Sequence, residues 1–172
     1  MPSSQFSQIS TIMNAVARIA PQSVLDVGCG YGKYGMLCRE YIELWLQKEP
    51  RIDAIDVFRP YIKQLQRAIY DDIYMGEAIK QLKKMDSKSY DLVLAIDILE
   101  HFTKEDGLEF IKELRRVGKH VLISTPKRVK EQGDIFGNEY ETHRSQWNSL
   151  MIDNTNQSTV IYEPNNWIVV TK

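Results

Sequence analysis

The sequence predicts an α/β fold, a doubly wound and mainly parallel seven-stranded sheet with flanking helices and a C-terminal antiparallel hairpin. Three observations support this prediction. Short apolar segments alternate with segments of helical periodicity over the first two-thirds of the chain. A glycine-rich loop follows the first apolar segment, and two β-prone segments separated by a turn close the chain. A length of 172 residues predicts one domain spanning 1–172.

Apolar runs place the strands. Tyr90–Ile96 is continuously apolar, as expected of a central strand that is covered on both faces. The hairpin turn is predicted at Pro164-Asn165-Asn166. The predicted parallel strands are Ser23–Val27, Arg51–Val57, Ile73–Met75, Tyr90–Ile96 and Lys119–Ser124, and the predicted hairpin strands are Thr159–Tyr162 and Trp167–Thr171.

Helical spacing and capping residues place the helices. Thr103 and Asp106 form a variant capping box at the start of a helix that Gly118 terminates. Its inward residues are predicted to be Leu108, Ile111 and Leu114. The other helices are predicted at about Ser7–Ala20, from the glycine loop to about Gln47, from Pro60 to about Ile69, at Glu77–Lys84 and from a Ser145 cap to about Ile152.

Composition narrows the function classes. The formal net charge of −1 creates no field that attracts nucleic acid or anionic lipid, although Lys127, Arg128 and Lys130 form a local basic stretch. No apolar run reaches membrane-spanning length, and the N-terminus lacks the features of a signal peptide. Cys29 and Cys38 do not form a Cys-x-x-Cys pair, so we expect free thiols in a cytoplasmic protein.

The spacing of the glycine loop separates two kinds of ligand. A dinucleotide fingerprint requires glycine at its first, third and sixth positions, which here are Gly28, Gly30 and Lys33. The third glycine is instead Gly32. Asp26 precedes the loop, where a carboxylate opposes a pyrophosphate but suits a cationic ligand.

The segment VLDVGCGYGKYG resembles motif I of the class I, S-adenosylmethionine-dependent methyltransferases. The resemblance covers about Ser23 to Thr125 and implies a Rossmann-like methyltransferase fold with S-adenosyl-L-methionine as cofactor. The alternative is that the glycines only form a tight turn in an unrelated fold. The motif I residues implied to bind the cofactor are Asp26, Gly28, Cys29, Gly30, Tyr31 and Gly32.

Three later segments resemble further cofactor-binding segments of this family. The acid at the end of the second strand, Asp56, is implied to bind the ribose, and the Gly-Glu-Ala segment after the third strand resembles a Gly-Asp-Ala segment of the family near the adenine. For Asp56 the alternatives are a helix-capping or solvated acid, or Asp53 in its place; for Glu77 the alternative is a first-turn acid favoured by the helix macrodipole. The implied contacts are Asp56, Val57, Phe58, Gly76, Glu77, Ala78, Asp97 and Ile98.

The segment after the fourth strand favours oxygen as the methyl acceptor. Asp97-Ile98-Leu99-Glu100-His101 resembles the Asp/Glu-x-Leu-Glu-His segment of many O-methyltransferases. It is unlike the Asn/Asp-Pro-Pro-Tyr segment of enzymes that methylate amino groups of nucleic-acid bases. We therefore predict an enzyme that methylates a small-molecule acceptor at oxygen.

Two of the three histidines follow strands on the active edge and are predicted to be catalytic. His101 comes directly after the fourth strand, and His143 is expected over the substrate opening with Trp147 against the sheet edge. The alternative for His101 is a role in fixing its loop. His120 begins the fifth strand, at the edge away from the site, and is predicted to be structural.

A metal site and two other functions remain as alternatives. Asp97, Glu100 and His101 share one face if their segment is helical, and with His143 they resemble the metal site of plant small-RNA 3′-end 2′-O-methyltransferases. That resemblance implies a metal-assisted RNA 2′-O-methyltransferase. The third function is a non-catalytic S-adenosylmethionine-binding module. A homodimer through Trp147, Trp167 and the first helix is also considered.

Overall fold

The strands of the chain form a single seven-stranded sheet. The computed structural model describes residues 3–153 and 158–171. The strands are β1 (Ser23–Val27), β2 (Arg51–Asp56), β3 (Ile73–Met75), β4 (Tyr90–Ile96), β5 (Gly118–Pro126), β6 (Ser158–Ile161) and β7 (Asn166–Thr171). Their order is β3-β2-β1-β4-β5-β7-β6; β1 to β5 run parallel, and β7 runs antiparallel to both β5 and β6. The predicted fold class is confirmed.

Helices cover both faces of the sheet. They are α1 (Ile9–Ile19), α2 (Lys33–Glu40), α3 (Gln64–Ile69), α4 (Ala78–Leu82), α5 (Lys104–Val117) and α6 (Ser149–Ile152). A π-helical turn at Tyr41–Trp45 continues α2, and 3₁₀ turns lie at Phe6–Gln8, Arg59–Tyr61, Leu99–His101 and Glu139–Glu141. In the described ranges no helix is both long and apolar enough to cross a membrane.

The strand side chains alternate between two hydrophobic cores. Val24 lies beside Ile52 and Leu92 in the core under α1, α2 and α3. The next residue along, Leu25, lies beside Val93 in the core under α4, α5 and α6. Because both faces are buried, a parallel strand reads as a continuous apolar run.

The order in which successive strands are added to the sheet reverses at β1, and this switch point determines where the site lies. β1 is hydrogen-bonded to β2 on one side and to β4 on the other, so the crossovers β1 to β2 and β2 to β3 build one half of the sheet, and the crossover from β3 to β4 begins the other half. A crevice opens at such a switch point beyond the carboxyl ends of the strands. Residues that directly follow β1, β2 and β4 therefore surround one space.

The start of α5 agrees with the prediction, whereas its inward face differs. Thr103 Oγ1 accepts the Asp106 N–H at 3.2 Å, and the Asp106 carboxylate accepts the Thr103 hydroxyl at 2.9 Å. Leu108, predicted to point inward, is 54% exposed. The inward position belongs instead to Gly107, where a Cβ would lie 2.2 Å from the Trp147 ring. The buried apolar residues of α5 are Phe110, Ile111, Leu114 and Val117.

The end of α5 and the start of α6 also differ from the prediction. Gly118 has a φ of −90° and begins β5 directly. A Cβ there would lie 2.7 Å from the His120 carbonyl oxygen, so close backbone approach requires the glycine. Asn148 caps α6 by accepting the Met151 N–H at 2.9 Å, whereas the predicted cap, Ser145, accepts the indole N–H of its neighbour Trp147.

Candidate active site

A cavity of about 430 Å³ lies at the switch point. This volume is within the range of small-molecule sites. Its wall combines residues that follow β1, β2, β3 and β4 with the 3₁₀ turn at Glu139–Glu141. The sequence-predicted residues on the wall are Asp26, Gly28, Cys29, Gly30, Asp56, Val57, Gly76, Glu77, Ala78, Asp97, Ile98 and His101.

Left-handed backbone shapes the glycine loop. Gly28, Gly30 and Gly32 have φ values of 76°, 52° and 81°, which residues with a Cβ rarely adopt. A Cβ on Gly28 would also lie 2.5 Å from Cδ1 of Ile98, so this glycine lets the residue after β4 pack against the loop. The loop is held to β2 because the Gly28 N–H donates to the Ile55 carbonyl at 2.8 Å.

The Asp56 carboxylate is oriented by the backbone. One oxygen accepts the Gly30 N–H and the other accepts the Phe58 N–H, both at 2.8 Å. Burial raises the pKa of this carboxyl, while the two N–H bonds act in the opposite direction. The oxygen bonded to Gly30 also accepts the Cys29 thiol at 3.7 Å, whereas the oxygen bonded to Phe58 keeps a lone pair with which Asp56 is able to accept a hydrogen bond from a ligand diol.

Asp26 lies buried at the base of the cavity with a partner that sequence reasoning missed. The Tyr70 hydroxyl donates to Asp26 Oδ2 at 2.6 Å. Burial raises the pKa of Asp26 to about 6, against the lowering effect of this bond and of a Gly35 backbone bond. A Cβ on Gly35 would lie 2.2 Å from the Tyr70 ring, so the last glycine of the VLDVGCGYGKYG segment makes room for Tyr70.

Three residues assigned to the cofactor from sequence lie outside the cavity wall. Phe58 and Tyr31 instead make edge-on contacts with Tyr61, at ring-centroid distances of 4.7 and 5.2 Å. Tyr61 itself lies on the wall and donates its hydroxyl to Glu141 Oε1 at 3.0 Å. Gly32 caps α2 and faces the α3 side. Of these three aromatic residues, Tyr61 is the one on the wall, and no motif indicated it.

Asp97 lies on the wall but does not join the metal set considered from sequence. Its φ of 50° breaks the segment, and the 3₁₀ turn begins only at Leu99, so the assumption of a helical segment was wrong. Its carboxylate accepts the side-chain amides of Gln8 and Asn166, both at 2.7 Å, and the Ser124 hydroxyl at 3.3 Å. Asp97 is not part of the group of potential ligand atoms that lie within 4.8 Å of one another.

The other three members of that set come together. One potential ligand atom each from Glu100, His101 and His143 lies within 4.8 Å of the others, and the two imidazole centroids are 5.0 Å apart. Nδ1 of His101 lies 3.2 Å from the Thr142 carbonyl, and Nδ1 of His143 lies 2.6 Å from the Lys130 carbonyl. Because a carbonyl only accepts, each Nδ1 is the donor, and in the neutral form of each ring Nε2 is the atom that carries the lone pair.

Burial controls the charge of this cluster. It lowers the pKa of His101 to about 4. Burial, and then the negative charge of Asp97, raises the pKa of Glu100 to about 8. At neutral pH the His101 imidazole is therefore neutral, with a lone pair on Nε2. His101 lies on the cavity wall, whereas His143 does not line it and packs beside His101.

Trp147 and His120 have structural surroundings. Trp147 is 2% exposed and packs against Gly107 of α5, not at the sheet edge. Its burial excludes it from the homodimer contact considered above. His120 lies near the start of β5, at the edge opposite the cavity.

The donor set of the cavity fits S-adenosyl-L-methionine. Asp26 and Asp97 supply negative charge near one end, as a ligand with a sulfonium and an ammonium requires. Asp56 supplies a carboxylate for a ribose diol, and Tyr61 supplies an apolar ring beside it. The glycine loop leaves the backbone open to close approach by a ligand.

Comparisons with known proteins agree with this architecture. The PH0226 protein from Pyrococcus horikoshii OT3 has a TM-score of 0.69 and 18% identity, covering 95% of this chain and 86% of that one. A SAM-dependent methyltransferase from Archaeoglobus fulgidus has a TM-score of 0.62 and 14% identity, with coverages of 94% and 92%. The methyltransferase domain of a bacterial Hen1 protein has a TM-score of 0.63 and 18% identity, with coverages of 95% and 96%. At these identities the likeness shows the fold.

Comparison of the sequence with protein-family profiles identifies the family to which the chain belongs. No curated protein sequence matches the chain. The profile of a family described as a methyltransferase domain matches residues 24–120, from the first residue of motif I in β1 to His120 in β5. This range is more than half of the chain and contains all the wall residues that follow β1 to β4. The chain belongs to the class I, S-adenosylmethionine-dependent methyltransferase family.

Proposed function

We propose that residues 1–172 form one catalytic domain that transfers a methyl group from S-adenosylmethionine to a hydroxyl oxygen of a small-molecule acceptor. The observation that carries this proposal is the placement of His101. Its side chain lies on the cavity wall, and its Nδ1 is held by the Thr142 carbonyl. The remaining ring nitrogen is thereby available to receive the proton that an acceptor hydroxyl must lose.

The residues around the cavity have separate roles in this proposal. S-adenosylmethionine, when bound, supplies the methyl group on a sulfonium sulfur. Asp56 accepts hydrogen bonds from the ribose, and Gly76 to Ala78 line the adenine side with Tyr61. Asp26 and Asp97 provide negative charge at the methionyl end. Methyl transfer depends mainly on alignment, so most of these side chains bind and orient.

Substitution of His101 tests the proposal. We expect His101→Gln to lower kcat on hydroxyl acceptors by about 10²- to 10⁴-fold, the usual contribution of a general base. Its affinity for S-adenosylhomocysteine should stay within about twofold, because His101 contacts the acceptor side of the cavity. His120→Gln, at the opposite edge of the sheet, is the matched control. An unchanged kcat for His101→Gln across the acceptor panel would refute the role of His101 as base.

A second candidate function is metal-assisted methylation of an RNA ribose 2′-hydroxyl. The approach of Glu100, His101 and His143 to within 4.8 Å of one another favours it, because neutral imidazoles and a carboxylate are common ligands of divalent metals. A bound cation would also stabilise the ionised form of Glu100. Against RNA, the Lys127 ammonium already donates to the Glu163 carbonyl and lies 4.9 Å from the Trp167 ring centroid.

Metal binding separates the two functions. The metal-assisted function predicts stoichiometric Mn²⁺ binding by chelator-treated protein, lost in His143→Ala and kept in His120→Ala. His143 is the informative position because it belongs to the cluster without lining the cavity. Absence of bound metal in the wild type under saturating Mn²⁺ and Mg²⁺ would eliminate this function. RNA binding with a steep salt dependence would support it.

A further inference from the structure

Lys33 places an ammonium on the cavity wall at the methionyl end. It is the first residue of α2 and directly follows the glycine loop. Its Nζ donates to the Ser4 backbone carbonyl and lies 3.4 Å from Ser4 Oγ. Both are neutral oxygens, and in residues 3–153 and 158–171 Lys33 forms no ion pair within 4.0 Å. The cavity therefore contains a cation without an anionic partner in that part of the chain.

The charges around Lys33 are otherwise negative. Asp26 and Asp97 both line the cavity; the charge of Asp97 acts on Lys33, and the charges of both acids act on the neighbouring Tyr34. Partial burial lowers the pKa of Lys33, and the negative charge of Asp97 acts in the opposite direction. Arg144, the other cation of the wall, lies on the acceptor side, where it donates to the His101 carbonyl at 2.9 Å. At the methionyl end, positive charge on the described wall thus comes from Lys33.

A ligand with an amino-acid end requires both signs of charge here. Its ammonium matches Asp26 and Asp97, but these carboxylates repel the carboxylate that the same carbon carries. Without a compensating cation that carboxylate would be desolvated next to two acids, which is strongly unfavourable. Lys33 is in position to supply the cation.

We propose that Lys33 binds the carboxylate of the cofactor's amino-acid moiety and gives up the Ser4 carbonyl to do so; this inference rests on the proposed cofactor site. The exchange replaces a neutral acceptor by a charged one, which makes a stronger hydrogen bond. The N-terminal segment stays anchored, because Gln8 binds Asp97 at 2.7 Å and Ser7 binds Glu163 at 3.2 Å. The rearrangement therefore does not extend to Ser7 or Gln8.

Paired ligands test this assignment by binding alone. S-adenosylhomocysteine and its decarboxylated analogue share the adenosine, sulfur and ammonium and differ only in the carboxylate. We expect Lys33→Met to weaken S-adenosylhomocysteine binding by about 10- to 100-fold, the size of a charge-assisted hydrogen bond. Its affinity for the decarboxylated analogue should stay within about twofold. Titration calorimetry measures both, directly or by displacement.

Matched variants separate charge from structure. Lys48→Met is the control, because Lys48 also donates to a backbone carbonyl, that of Ala20 at 2.8 Å, but lies outside the cavity wall. Lys33→Gln keeps a donor for the Ser4 carbonyl and removes the charge, so it should lose the same selectivity if Lys33→Met proves unstable. Lys33→Arg should restore affinity for S-adenosylhomocysteine to within a few fold.

The possible outcomes distinguish the two proposals. Equal losses for both ligands, or no loss for S-adenosylhomocysteine, would overturn the role of Lys33 while leaving the cofactor site in place. Failure of the wild type to bind either ligand would overturn the cofactor site and this inference with it. A loss confined to the ligand that carries the carboxylate supports the assignment.

Discussion

Replacing Asp26 by Asn should make the protein more resistant to unfolding as the pH rises, relative to the wild type. Asp26 is buried and its pKa is raised from an ordinary 3.8 to about 6, mainly by burial. Asn has nearly the same shape but does not ionise. It is able to accept the Tyr70 hydroxyl that Asp26 accepts at 2.6 Å. The substitution therefore removes the buried negative charge with little change in packing.

The direction of this pH dependence follows from whether the folded or the unfolded chain binds the proton more tightly. Below pH 3.8 the carboxyl is protonated in both the folded and the unfolded chain. Between pH 3.8 and about 6 the folded chain keeps the proton that the unfolded chain loses, so the free energy of unfolding falls as the pH rises. Above about pH 6 the carboxyl is ionised in both states and the loss is complete, at about 3 kcal/mol.

A measurable range captures most of this difference. Between about pH 4.5 and pH 7.5 the free energy of unfolding of Asp26→Asn should rise relative to the wild type by about 2 kcal/mol. For a chain of this length that corresponds to about 4 to 8 °C in Tm. Urea unfolding of both proteins in parallel is the assay, because titration of the other groups then largely cancels. If the substitution alters the hydrogen bond from Tyr70, the free energy of unfolding of the variant changes by the same amount at every pH, so its pH dependence relative to the wild type is unaffected.

Asp91→Asn is the matched control. A bond from Lys119 at 2.8 Å lowers the pKa of Asp91, so both its folded and its unfolded titrations lie at or below 3.8. Its effect on stability should therefore stay constant over the same range. If the difference in the free energy of unfolding between Asp26→Asn and the wild type were also independent of pH, the pKa of Asp26 would not be raised in the folded protein. The reasoning would then be refuted. The same variant should bind S-adenosylmethionine more weakly, because it removes a negative charge from the methionyl end.

Two glycine substitutions test the packing around the site. Gly35→Ala should destabilise the protein by about 1 to 3 kcal/mol, because the new Cβ would lie 2.2 Å from the Tyr70 ring and overpacking outweighs the gain in helix propensity; Tyr70→Leu in the same chain should recover part of the loss. Gly107→Ala should cost a similar amount, because its Cβ would lie 2.2 Å from Trp147, and it should redshift the indole fluorescence if the ring is displaced toward water. Gly133→Ala, with nothing within 4 Å of its Cβ, is the control for both, and equal unfolding midpoints for all three variants in urea would contradict this account.

Local signals explain why the strands were predicted well and why most residues assigned to the cofactor from sequence line one cavity. Ser23–Val27, Ile73–Met75 and Tyr90–Ile96 have the predicted bounds, because each is an apolar run that ends at a turn or loop. Residues that directly follow parallel strands meet at one edge of the sheet, so Asp56 and Asp97 reach the same cavity. Chain order and strand direction alone determine this placement.

Helix faces and side-chain roles were predicted less well where a distant residue decides them. Leu108 fits the helical spacing of an inward residue, but Trp147 occupies that side of α5 and the helix turns Gly107 toward it. Phe58 follows β2 closely, yet Tyr61 takes the place on the wall because the short 3₁₀ turn at Arg59–Tyr61 reverses the chain there. The hydrophobic periodicity of the sequence predicts neither the packing of Trp147 on α5 nor the position of Tyr61 on the wall.

The sequence by itself determined the fold class, the glycine loop and the edge of the sheet where chemistry occurs, since each depends on short-range patterns or on strand order. Only the tertiary structure decided which side chains meet there. Tyr70 reaches Asp26 across 44 positions, Gln8 reaches Asp97 across 89 and Tyr61 reaches Glu141 across 80. Such pairs form because packed helices and loops bring their backbones together, and a single side chain far away in the chain has no local pattern that signals its partner.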